Sequence, residues 1–152
     1  EGGIRIPFIA YWKGKIKPGS ISNLISGHWD MYNTFAELAG QKQTAPDGIS
    51  ILPELLGKPQ NKIHPYLYFE YPEKRGQVAL RIKYWKGVKI DMKTNADAKW
   101  ELYNLVTDPN EEFNVALEHP EVVAKMDSLQ KIAHRHPHIR EWEFIDPKFK
   151  KN

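Results

Sequence analysis

The chain has 152 residues, a length that suits about one domain in the usual range of roughly 100–200 residues, and 41% of them are hydrophobic, 12% aromatic and 27% charged. That mixture supplies enough apolar surface for a core and too little net charge for a disordered chain, so a soluble globular protein is expected. The formal charge of +3 comes from 22 Lys and Arg against 19 Asp and Glu, an excess that Lys148, Lys150 and Lys151 alone would supply, which leaves no basic footprint for nucleic acid.

Cysteine is absent, which excludes disulfides, thiolate metal sites and a cysteine nucleophile within these residues but does not identify the compartment. No apolar run approaches the roughly 18–20 residues that cross a bilayer. The opening Glu1-Gly2-Gly3-Ile4-Arg5 lacks the basic region and apolar stretch of an export signal.

In chain order, Ile4 to Trp12 is apolar, aromatic and β-branched, which predicts a largely buried strand with Pro7 near its start or at an edge. Gly14 and Pro18-Gly19 end it. Such a strand needs neighbours, and the few candidates downstream lead to the expectation that the natural chain extends upstream. A helix is predicted from about 28 to 39, capped by Ser26 or Asp30, with Trp29, Tyr32, Phe35, Ala36 and Ala39 at helical spacing and Gly40 as its stop. A short helix over 51–56 follows, with Pro53 in its first turn and Gly57 ending it.

From residue 66 the period changes to two. Leu67, Phe69 and Tyr71 alternate with Tyr68 and Glu70, Pro72 to Gly76 turn the chain, and Val78, Leu80 and Ile82 alternate with Ala79 and Arg81. Lys83-Tyr84 turns it again into Trp85 to Ile90, and Leu102 to Leu105 completes an antiparallel meander, with a polar, mobile loop from Lys93 to Lys99 between. Thr107 to Glu112 is turn chemistry. Pro120 opens a last helix to about 134, whose face of Val122, Val123, Met126, Leu129, Ile132 and Ala133 should lie on the meander. In the tail, Trp142, Phe144 and Phe149 are placed to pin it to the body.

Several phrases then carry a family likeness. Glu1-Gly2-Gly3-Ile4-Arg5-Ile6-Pro7 with Trp12-Lys13-Gly14-Lys15-Ile16, Thr34 to Gly40, Asp47-Gly48-Ile49-Ser50, Tyr66 to Glu70, Ala79-Leu80-Arg81 with Trp85-Lys86, and Glu101-Leu102-Tyr103-Asn104-Leu105 followed by Asp108-Pro109-Asn110-Glu111 and Asn114-Val115-Ala116 stand in order. The set resembles the C-terminal third of type I, formylglycine-dependent sulfatases of the alkaline phosphatase superfamily. It spans residues 1 to about 134. Lys13, Asn33 and Asn104 depart from the pattern, where proline, proline and aspartate are usual; all three are structural positions.

The resemblance implies a formylglycine nucleophile, made from the Cys or Ser of a C/S-x-P-x-R motif, and a calcium ion that neutralises charge on the sulfate. Neither is expected here, because none of Ser20, Ser22, Ser26, Ser50 and Ser128 stands in such a motif, and the family's metal ligands and sulfate-binding lysine precede its E-G-G strand. The expected fold class is α/β, more narrowly an α+β piece of that fold. Residues 1–60 form an edge of the large sulfatase domain, and residues 61–152 form a smaller four-stranded antiparallel sheet packed against a C-terminal helix.

No catalytic residue and no metal ligand is assigned. Asp30, Asp47 and Asp108 read as caps or turn formers. The alternating His134, His136 and His138 would suit a transition metal on an extended segment, but Pro137 interrupts them, and cations completing a helix C-terminus are the plainer account. Because the smaller domain's loops border the sulfate pocket in the family, His64, Glu70, Lys74, Arg75 and Arg81 are the candidates for the substrate rim, although charges at the tip of a solvated hairpin are ordinary.

The expected parent is thus a secreted or periplasmic hydrolase of sulfate esters, acting on a sulfated glycan or small aryl sulfate, with the catalytic centre absent from these 152 residues. Its partners are that substrate and the missing N-terminal domain, with no nucleic acid and no membrane span. The alternatives are a phosphodiesterase or phosphonate hydrolase of the same superfamily, or a stand-alone module for anionic glycans.

Overall fold

A computed structural model describes residues 2–95, 97–146 and 148–149; Glu1 of the opening phrase, Ala96 of the polar loop, and Lys150 and Lys151 of the basic tail lie outside them. The chain folds as two units, Gly2–Pro65 and a second that begins at Tyr66.

The first unit holds helix α1 (Asp30–Leu38) and the single-turn α2 (Leu52–Leu55), with irregular chain between. Residues 4–12 form no strand. A strand exists by virtue of a ladder partner, and none of the described residues supplies one, so Ile6, Phe8, Ile9 and Tyr11 stand exposed. The face that α1 buries is also not the apolar one. Tyr32, Phe35 and Leu38 are exposed, whereas Asp30, Asn33 and Thr34 are buried.

These three polar side chains do the work of a core by tying down the loop over 45–51. The Asn33 amide donates to the carbonyls of Ala45 at 2.9 Å and Gly48 at 2.6 Å, and its oxygen accepts the Ala45 N–H at 3.2 Å. The Thr34 hydroxyl donates to the Asp30 carbonyl at 2.7 Å and accepts the Ile51 N–H at 3.1 Å. Asn33 is one of the departures from the family pattern, and its three bonds explain how an amide serves there. Gly48 must be glycine, since a Cβ would lie 2.6 Å from the Trp29 carbonyl oxygen.

The second unit is an antiparallel meander in the order β1-β2-β3-β4: β1 (Leu67–Tyr71), β2 (Gln77–Ile82), β3 (Trp85–Lys89) and β4 (Glu101–Asn104). Its register pairs Phe69 with Ala79, Leu80 with Gly87, and Gly87 with Leu102. Alternation along β2 sends Val78, Leu80 and Ile82 to one face, where they meet Trp100, Leu102, Phe144 and Met126 of helix α3 (Pro120–Ala133). This is the α+β arrangement expected from the period change.

Two features seat α3. Gly87 leaves the space beneath it open: a Cβ there would clash with the Met126 sulfur and lie 2.9 Å from the Trp100 ring. Asp127 then accepts both the Trp100 indole N–H at 2.8 Å and the Lys89 ammonium at 3.0 Å. Of the predicted apolar face, Ile132 is the exception and lies exposed. Asp108 behaves as a turn former, its carboxylate taking the N–H groups of Glu112 and Phe113, and the Asn114 side chain accepts the N–H groups of Leu102 and Ala116.

Candidate functional site

The β1–β2 hairpin carries two of the five rim candidates at its tip. The Gly76 N–H bonds the Glu73 carbonyl at 2.9 Å, closing a four-residue turn around Lys74 and Arg75. Both have positive φ, 45° and 67°, left-handed backbone that Asn and Gly adopt at least cost. Lysine and arginine hold that shape against the steric penalty of their Cβ atoms. The turn thus accepts strain and displays two cations. Arg75 donates from Nε to Asp91 at 2.9 Å while its side chain remains 68% exposed.

At the opposite end of the hairpin, Arg81 on β2 donates from Nε to the Lys83 carbonyl at 3.1 Å. Glu70 lies on β1 with a different set of neighbours. One of its oxygens accepts both the Tyr68 hydroxyl at 2.7 Å and the His134 Nδ1–H at 2.8 Å. Burial first, and then the bond to Glu70, push the Tyr68 phenol far above its ordinary pKa, so it acts as a fixed donor.

His134, at the end of α3, also points Nε2 toward Glu143, 3.2 Å away, and His136 Nδ1 reaches the same Glu143 oxygen at 2.9 Å. The Glu143 carboxylate is buried to 1% exposure. Burial opposes its charge, but the Asp146 N–H, His136 and the Ile145 N–H together hold it below the usual carboxylate range. Glu143 was not singled out from the sequence, because its only local signal is a carboxylate between Trp142 and Phe144. His138 is not part of the cluster.

His64 belongs to the first unit. Its Nε2 lies 2.8 and 3.0 Å from the two oxygens of Asp30, its side chain is 8% exposed, and the Trp29 ring packs edge-on against it. Asp30 also accepts the N–H groups of Gly27 and Ile49. It therefore pins loops instead of capping α1, whose N-cap is Trp29.

Residues 1–147 match the family described as N-sulphoglucosamine sulphohydrolase, C-terminal. The chain belongs to this sulfatase family. It is 34% identical over 145 residues to N-acetylgalactosamine-6-O-sulfatase of Bacteroides thetaiotaomicron, covering 85% of this chain and 27% of that protein. Against arylsulfatase A of Homo sapiens it is 31% identical over 157 residues, covering 86% and 30%. A solved structure in complex with its substrate D-glucosamine-2-N,6-O-disulfate superposes over 90% of this chain and 28% of its own, with a TM-score of 0.64 and 23% identity, and shares the fold. The chain thus spans between a quarter and a third of the length of these two curated relatives.

Sulfatases of this family use formylglycine and calcium, and neither the serines nor Asp30, Asp47 and Asp108 fit them. There is no cysteine, and no serine stands in the modification motif. A calcium ion needs several free oxygens converging, but the oxygens of Asp30 and Asp108 are engaged by backbone N–H groups. Asp47 is exposed in a turn.

Proposed function

We propose that the chain is the C-terminal domain of a secreted or periplasmic sulfatase that hydrolyses sulfate esters of a glycan, and that the Lys74–Arg75 turn is its contribution to the substrate rim. The catalytic formylglycine and calcium belong to the remainder of the protein, and residues 4–12 join the larger domain there. The exposed Ile6, Phe8, Ile9 and Tyr11 support that assignment.

The observation that carries the reading is the strained turn that presents the Lys74 ammonium beside the Arg75 guanidinium, which stays 68% exposed while its Nε bonds Asp91. Strain retained in a short exposed turn is a pointer to function, and guanidinium and ammonium groups suit the second anionic group of a sulfated saccharide. The likeness to an N-acetylgalactosamine-6-O-sulfatase favours a glycan over a small aryl sulfate as the natural substrate. Glu70 is engaged with Tyr68 and His134, and His64 with Asp30, so neither is assigned a direct contact with substrate.

The test compares the full-length enzyme with its Lys74→Asn/Arg75→Gly variant, which keeps the turn and removes both charges. KM for a multiply sulfated oligosaccharide should rise about tenfold with kcat held, the loss expected of one charge-assisted contact, while KM for 4-nitrophenyl sulfate stays the same. Equal kinetics on both substrates would refute the rim assignment. The 152-residue chain alone should turn over neither substrate.

A further inference from the structure

Three side chains distant in character from the hairpin tip converge in the second unit. His134 Nε2, His136 Nδ1 and a Glu143 oxygen all lie within 4.8 Å of one another, with separations of 3.2 and 2.9 Å from the carboxylate to the two imidazoles. Bonds of about 2.0–2.1 Å at tetrahedral angles would place neighbouring donors about 3.3 Å apart, so the two separations from the carboxylate already match corners around one small ion.

The hydrogen bonds around the cluster fix which atoms face it. Glu70, an acceptor, takes the His134 Nδ1–H at 2.8 Å, and Glu70 is itself held by the Tyr68 hydroxyl at 2.7 Å. His134 therefore turns Nε2 inward. That nitrogen is buried and makes no hydrogen bond. In the neutral ring it carries a lone pair facing a carboxylate oxygen 3.2 Å away, an arrangement that a bound cation satisfies, as a second ring proton would. A carboxylate behind a ligating histidine is also the usual outer partner of a metal-bound imidazole.

Glu143 is oriented as firmly. Its other oxygen accepts the N–H groups of Ile145 at 2.7 Å and Asp146 at 2.9 Å, which leaves the oxygen shared with the histidines for the ion. His136 is fixed by stacking on Phe149, with ring centroids 4.1 Å apart and planes 4° from parallel, and its half-exposed side chain gives solvent a way in.

We infer that His134, His136 and Glu143 form a zinc site, with water completing the tetrahedron, that ties the chain after α3 to the sheet through Glu70. Two imidazoles and one carboxylate without sulfur suit zinc or cobalt and are a poor set for calcium or magnesium, which prefer oxygen throughout. The ligands are distinct from the Lys74–Arg75 turn, and the readout is metal content, so the failure of one assignment leaves the other standing.

The full chain, stripped with chelator and dialysed against zinc, should retain one equivalent, and cobalt in its place should give the intense visible d–d absorption of a tetrahedral ion. His136→Ala, at a half-exposed position that leaves the core untouched, should abolish both while preserving the near-UV circular dichroism. Glu143→Gln should do likewise, and Glu70→Gln should weaken zinc about 10–100-fold without removing a ligand. Two results would overturn the site: a folded chain that gives no cobalt band and no zinc-dependent rise in Tm, or binding that survives His136→Ala unchanged. Zinc binding with octahedral, weakly absorbing cobalt would place the ion elsewhere and equally refute it.

Discussion

At the scale of single residues, the two most informative positions are those at which an ordinary preference is broken. Lys74 and Arg75 occupy left-handed backbone, where each Cβ costs roughly 1–2 kcal/mol relative to glycine. Replacing the pair by Asn-Gly should therefore raise stability by about 1–2 kcal/mol in urea denaturation, even as it weakens substrate binding, so gain and loss would come from the same two substitutions. Asp30 is the converse, a carboxylate with no exposure whose acceptors are all used. Asp30→Ala should release the Gly27 and Ile49 amides and leave His64 without its partner, each buried group left unsatisfied costing about 1–3 kcal/mol. Hydrogen exchange would show it as lost protection at Gly27 and Ile49 with the β2 and β3 amides unchanged. The turn's location was legible from Pro72 to Gly76, and its strain was not, because φ depends on how two strands of fixed register must be joined. Asp30 read as a cap for a similar reason: its partners lie up to 34 residues away.

Elements show why the meander could be read and the first strand could not. Period-two alternation in β2 matches its buried face residue by residue, because its two ladder partners are the strands immediately before and after it in the chain. Residues 4–12 have the composition of a strand and no neighbour among the described residues to pair with, so composition alone misleads. Helix α1 fails differently, as its apolar spacing is real but its buried side is the polar one. The seating of α3 on the sheet gives two expectations at this scale. Gly87→Ala would push a methyl into Met126 and Trp100, and overpacking of this kind costs about 1–3 kcal/mol, measurable as a lower urea midpoint at constant m. Asp127 is held below its ordinary pKa: burial opposes the shift, and the bonds from Lys89 and Trp100 outweigh it. A depressed carboxylate stabilises the fold above its unfolded pKa of about 3.9 and loses that contribution as pH falls through the folded value. Asp127→Asn should accordingly flatten part of the decline in Tm below about pH 4, and it should be nearly silent in the dependence above pH 6. The carboxylate is almost half exposed, so salt should diminish the difference.

For the whole molecule, the decisive contrast is where apolar burial falls. The core cluster of Val78, Leu80, Ile82, Trp100, Leu102, Met126 and Phe144 lies entirely beyond residue 65. In Gly2–Pro65, by contrast, Ile51 is the buried hydrophobic residue among those described, and order rests on Asp30, Asn33 and Thr34 bonding to loops. Hydrophobic burial is the dominant favourable term in folding, whereas a net hydrogen bond contributes only about 0.5–1.5 kcal/mol. A piece that starts at Tyr66 should then fold without the first sixty-five residues. It should melt cooperatively, with near-UV circular dichroism from Trp85 and Trp100 and with the zinc equivalent expected of His134, His136 and Glu143. A piece ending at Pro65 should show no cooperative transition, since too little apolar surface is withdrawn from water to offset roughly 1–2 kcal/mol of backbone entropy per ordered residue. Both pieces can be expressed and melted side by side. If the piece from Tyr66 proved molten while the full chain was cooperative, the sheet would depend on contacts outside its own cluster, and the two-unit description would have to be abandoned.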